Sequence, residues 1–127
     1  MQISDLFYLL GKKILILDVN DGLSDASRKQ LALSGASIIG PLKRADDVLL
    51  AIPPHKPDAA IIEVTADDRD LVLIARRLEN LRIPFVFAAI STDSKDFIQD
   101  GFNLNGKRDE FRKITRALFM DPPGDFR

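Results

Sequence analysis

The chain lacks cysteine and has one histidine, His55, among 127 residues. Without cysteine there is no disulfide framework, no thiolate nucleophile and no sulfur-based metal site. With a single histidine, zinc centres and His-dependent triads drop out as well. His55 stands between Pro54 and Lys56, in a stretch that reads as an exposed turn. No apolar run approaches the ~20 residues that a spanning helix needs. The apolar opening places Lys12 and Lys13 after its apolar part, the reverse of a secretory signal, so a cytoplasmic protein is expected. A formal charge of -1 gives no electrostatic ground for binding nucleic acid or a membrane surface. The side chains left for chemistry are carboxylates, lysine, serine and threonine.

What is present is ordinary for one folded domain: 46% hydrophobic and 29% charged residues. A chain of this length buries roughly two-thirds of its unfolded surface. The organising stretch is Pro57-Asp58-Ala59-Ala60-Ile61-Ile62-Glu63-Val64. Its unbroken apolar run, closing on a carboxylate, suits a strand covered on both faces. Ligands and chemistry gather beyond the carboxyl ends of such strands, which singles out Glu63. Lys13-Ile14-Leu15-Ile16-Leu17-Asp18 is a second buried strand with the same ending.

Between and after these, Ser24 or Asp25 caps a helix to about Leu33, and Gly35 stops it. Residues 37–40 read as a short strand that Pro41 ends. A short helix over 46–52 carries Val48, Leu49 and Ile52 on one side, and Pro53-Pro54 breaks it. Asp67 and Asp68 open a long helix with a stripe of Leu71, Ile74, Leu78 and Leu81 and with Arg76 and Arg77 on its solvated side. Residues 83–90 form a fourth strand and 93–99 a helix with Phe97 and Ile98 inward. A weak fifth strand covers 102–104, and a last helix over 108–120 turns Phe111, Ile114 and Leu118 inward. Residues 1–11, with Ile3, Leu6, Phe7 and Leu10 at helical spacing, are expected to form a short helical extension. That extension is either a cap on the domain edge or a self-association arm, which leaves a homodimer open. Residues 12–119 are the domain, and 120–127 a frayed tail. Strands alternating with helical crossovers imply an α/β protein with a parallel sheet and helices on both faces.

Five βα units, with an acid ending the first strand and another ending the third, resemble the receiver domain of two-component response regulators. The phrases that carry the resemblance are Lys13 to Asp18, the Gly35 to Pro41 stretch with its closing Gly-Pro, Pro57 to Val64, and Ile83-Pro84-Phe85-Val86-Phe87. It covers residues 12–119. It implies a single-domain flavodoxin-like fold with a five-stranded parallel sheet in the order 2-1-3-4-5. It also implies phosphorelay chemistry, in which an aspartate ending the third strand takes a phosphoryl group from a histidine kinase. Two acids after the first strand hold Mg²⁺ beside it. A Thr or Ser ending the fourth strand and a Lys after the fifth contact the phosphoryl oxygens, so that metal and ammonium offset the transferring charge.

Carried onto this chain, Asp18 takes the first metal acid and Val19 the second, with Asp21 two positions further on. Glu63 takes the phosphoacceptor position and Ala89 the Thr/Ser position. The lysine falls on Lys107 or, in another register, on Asn105. The resemblance places a partner face over 93–119, with Phe102 and Arg116 on it, although Phe102 is equally suited to the core. Asp18 paired with Lys107, or Glu63 reaching toward Lys107, are two further arrangements left open.

A pocket of Asp18, Asp21 and Glu63 with valine in place of a ligand is a poor octahedral site, so Mg²⁺ is expected to bind weakly at most, through Asp18 and Glu63. The extra methylene of Glu63 shifts its oxygens on the scale that disrupts catalytic placement. The expected function is an atypical stand-alone receiver-like protein, without cofactor or enzymatic activity, acting through a protein partner, a histidine kinase or another signalling protein. One alternative is a phosphoacceptor with a distorted Mg²⁺-dependent site. Another is a small-molecule-binding flavodoxin-like domain, against which Asp21-Gly22 offers one glycine and no phosphate-loop fingerprint.

Overall fold

The structure is a computed structural model, and it describes residues 9–120. Five strands, β1 (Lys13–Leu17), β2 (Ser37–Leu42), β3 (Ala59–Glu63), β4 (Phe85–Ile90) and β5 (Phe102–Leu104), form one sheet in the order β2-β1-β3-β4-β5. Every neighbouring pair is parallel. The helices among the described residues are α1 (Asp25–Leu33), α2 (Ala45–His55), α3 (Asp68–Asn80) and α4 (Arg108–Thr115), the last running into a π-helical turn, Arg116–Met120. The architecture is flavodoxin-like α/β.

The apolar strand runs place side chains alternately on the two faces. Along β1, Ile14 and Ile16 join a core with Leu31 of α1, Ile114 of α4 and the strand residues Ile61, Val86 and Ile90. Leu15 and Leu17 join the opposite core with Val48 and Ile52 of α2, Ile74 and Leu78 of α3, and Ile62. Covering each such side chain contributes about 1.5–3 kcal/mol. Local signals set the helix starts: Ser24 accepts from the Ser27 amide, and Asp67 from the Arg69 amide.

Several expected boundaries shift. β2 continues through Pro41 to Leu42, because the one β1 residue between Leu15 and Leu17 is matched by two, Gly40 and Pro41, on β2. Gly40, at φ +105°, supplies the left-handed backbone of that bulge. Pro53 and Pro54 sit inside the last turn of α2 without breaking it. The helix there is closed by the Lys56 amide on the Ile52 carbonyl. Leu81, expected on the buried stripe of α3, caps the helix and is exposed. The helix expected over 93–99 is a single 3₁₀ turn, Ser94–Asp96, and Phe97 is exposed instead of packed inward. Side chains of Ser91 and Asp93 bind nearby backbone and side chains in that segment, the competition with helical bonding that these residue types favour.

At the start of the described chain Leu9, and not Leu10, packs into the core. The remainder of the expected helix in 1–11 and the tail from 121 onward lie outside the described residues. No described helix is long and apolar enough to cross a membrane.

Candidate functional site

β1 and β3 are adjacent and parallel, so their carboxyl ends bring Asp18 and Glu63 to the same rim of the sheet. Both carboxylates are buried, 1% and 3% exposed. A buried carboxylate must be satisfied by donors, and each of these is. Asp18 accepts from the backbone amides of Gly22 (2.8 Å) and Leu23 (3.0 Å), folding the β1–α1 loop around its own carboxylate. Glu63 accepts the Asn20 amide on Oε1 (3.2 Å) and the Asn20 side-chain nitrogen on Oε2 (2.8 Å). The Thr65 hydroxyl donates to that same Oε2 and accepts from the Asn20 side chain (2.9 Å).

The β1–α1 loop is therefore drawn over the end of β3, with Asn20 closing on Glu63 and Thr65. Gly22 allows this placement: a Cβ there would lie 2.0 Å from the carbonyl oxygen of Ile90 at the end of β4. Only a residue without a side chain lets the loop pass so close. The closed loop leaves the Glu63 carboxylate no oxygen that is both accessible and unpartnered.

The other predicted residues do not assemble around it. Asp21 adopts a left-handed backbone (φ 56°) and faces Lys43 at 3.8 Å in an exposed ion pair, away from the expected acidic pocket. Val19 lines a cleft of about 300 Å³ with Lys43, Arg44, Asp67 and Asp70. Ala89 is buried in β4, opposite Asn103 of β5. Lys107 is exposed at the start of α4, where its amide is held by the Asn105 side chain (3.0 Å). Among the described residues no ion pair joins Lys107 to Asp18 or Glu63. Both pairings of Lys107 weighed from the sequence are thereby corrected: the carboxylates are satisfied by amides and a hydroxyl instead. Phe102 is half-buried against the α1–α4 core, and Arg116 is exposed at the end of α4.

Mg²⁺ is poorly served by this donor set. Among the described residues no three His, Cys, Asp or Glu side chains are arranged to hold a metal ion. Asp18 and Glu63 each have both oxygens committed to protein donors, Val19 has no oxygen to offer, and Asp21 is turned outward. A hard cation would have to break the loop's own hydrogen bonds to gain ligands.

The residues overlooked in the sequence are Asn20 and Thr65. Each stands two positions past a rim carboxylate, in the loop that follows a buried strand, and that placement is the signal that could have found them. Scans of family models, curated proteins and solved structures returned no match. Fold and site together define a flavodoxin-like α/β domain with a loop-covered pair of carboxylates at the ends of β1 and β3.

Proposed function

We propose that this chain is an atypical receiver-like module of cytoplasmic two-component signalling that works by contact with a protein partner, without phosphorylation and without catalysis of its own. The observation that carries the reading is the closure over Glu63. At the position where the resemblance puts a phosphoacceptor, the carboxylate is 3% exposed and bonded to Asn20 and Thr65. In-line attack on a phosphoryl donor needs an accessible oxygen and charge neutralisation beside it. Here the oxygen is covered and, among the described residues, no ion pair joins it to Lys107.

The same bonds fix the loop geometry without a covalent modification, so the domain presents one rim conformation to its partner, a histidine kinase or another signalling protein. The proposed contact face is the outer side of α4 around Arg116, with Phe102 supporting that helix from the core side.

Incubation with acetyl phosphate and Mg²⁺, followed by intact-mass measurement, tests the proposal. The expected product is unmodified protein. A gain of one phosphoryl group that disappears in Glu63→Gln would overturn it in favour of a working phosphoacceptor.

A further inference from the structure

A second cleft of about 300 Å³ opens beyond the carboxyl ends of β4 and β5, lined by Thr92, Asp93, Ser94, Phe97, Asn105 and Lys107 together with Ser91. Its size is at the small end for ligand pockets, and it lies on the carboxyl-end side of the sheet, beside β4 and β5 and away from the β1–β3 switch point. Glu63 does not line it.

The walls are fixed by bonds of their own. Ser91 Oγ donates to Asp96 (2.9 Å) and accepts from the Asp93 amide (3.0 Å), while Asp93 accepts from the Lys95 amide (3.0 Å). Asn103, buried in β5, grips Ile98 at both its amide (2.8 Å) and its carbonyl (2.9 Å). On the other wall Asn105 Oδ1 accepts from the Lys107 amide.

Once those bonds are made, four groups on the cleft have no hydrogen bond or ion pair among the described residues. They are the hydroxyls of Thr92 and Ser94, the side-chain nitrogen of Asn105 and the ammonium of Lys107. All four can donate. The one carboxylate lining the cleft, Asp93, is engaged with Lys95 at 3.7 Å. Phe97 adds an apolar ring that is 44% exposed.

Surplus donors, a positive charge and an open aromatic face are complementary to an oxyanion carried on a flat ring. We infer that this cleft binds a small phosphomonoester with a planar ring, its phosphate held by Lys107 and the two hydroxyls and its ring against Phe97. The cleft shares Lys107 with the signalling reading, but Glu63 does not line it and the binding does not require it.

An amide chemical-shift titration of the full chain with AMP tests it, with adenosine and inorganic phosphate as controls. Saturable shifts are expected at residues 91–97 and 105–107, with AMP at least about tenfold tighter than either control, the scale of one charge-assisted contact. Lys107→Ala and Phe97→Ala should each weaken AMP by about tenfold or more, and Leu50→Ala, exposed on α2 and outside the cleft, should leave it unchanged. Both altered side chains are exposed, so the variants keep their fold, and matching thermal melts verify it. Absence of saturation up to roughly 10 mM AMP, unchanged affinity in both variants, adenosine binding as tightly as AMP, or shifts mapping elsewhere would each overturn the site.

Discussion

Replacing Asn20 by alanine removes the side-chain nitrogen that lies 2.8 Å from Glu63 Oε2 and 2.9 Å from Thr65 Oγ1. A hydrogen bond to a charged group contributes ~1.5–3 kcal/mol. Asn20 is itself exposed, so water can take the vacated place, and its backbone amide still reaches Oε1. The expected loss is therefore about 1–2 kcal/mol. In urea unfolding followed by circular dichroism, at ~1–3 kcal/mol per molar, the midpoint should fall by about 0.5–1 M without a change in slope. The mechanism is isolated by adding Glu63→Gln, which puts an NH₂ group where a carboxylate oxygen accepts two donors. If Asn20 acts through that carboxylate, the two losses are non-additive by about 1 kcal/mol. A midpoint within about 0.1 M of the parent for Asn20→Ala, or strictly additive losses, would show that the clamp does not hold Glu63.

Gly22→Ala should cost about 2 kcal/mol or more, measured by thermal melting, since its Cβ would meet the Ile90 carbonyl at 2.0 Å and force the loop off the rim. Asp18→Ala strands the Gly22 and Leu23 amides and should cost about 2–4 kcal/mol in urea unfolding, whereas Asp18→Asn keeps one acceptor and should lose roughly half of that. Leu15→Ala, at a fully buried position in β1, should destabilise by about 2–5 kcal/mol. Leu50→Ala, on the outer side of α2 and 74% exposed, should stay within about 0.5 kcal/mol of the parent by the same assay.

The sheet was legible because β1, β3 and β4 are continuous apolar runs, and a strand buried on both faces has few other ways to be encoded. Their order, with caps such as Ser24 and Asp67 between them, was enough for a parallel α/β sheet, while the flavodoxin-like strand order came from the resemblance to receiver domains. Boundaries failed where a backbone detail outweighed the local signal. Gly40 lets β2 pass a bulge and run on through Pro41, and Ser91 with Asp93 ties down a segment read as helical from the spacing of Phe97 and Ile98. The candidate site was half legible. Strand ends placed Asp18 and Glu63 on one rim, but their donors come from loops whose closure depends on a contact between Gly22 and Ile90, 68 residues apart in sequence numbering. Spacing along the chain carries no record of that approach. The lysine position stayed open between Lys107 and Asn105 because the fifth strand and the last helix suggest different registers; the structure shows the two side by side, with the Asn105 side chain accepting from the Lys107 amide.

β5 is three residues long, is paired only with β4, and follows a crossover containing one 3₁₀ turn. The two bonds from the Asn103 carboxamide to Ile98 stand in for the helix that usually braces such a connection. Release of that one amide side chain would loosen this margin while β1 and β3 keep their own pairing. Buried β1 and β3 and the thinly braced β5 border are therefore expected to differ in amide-exchange protection.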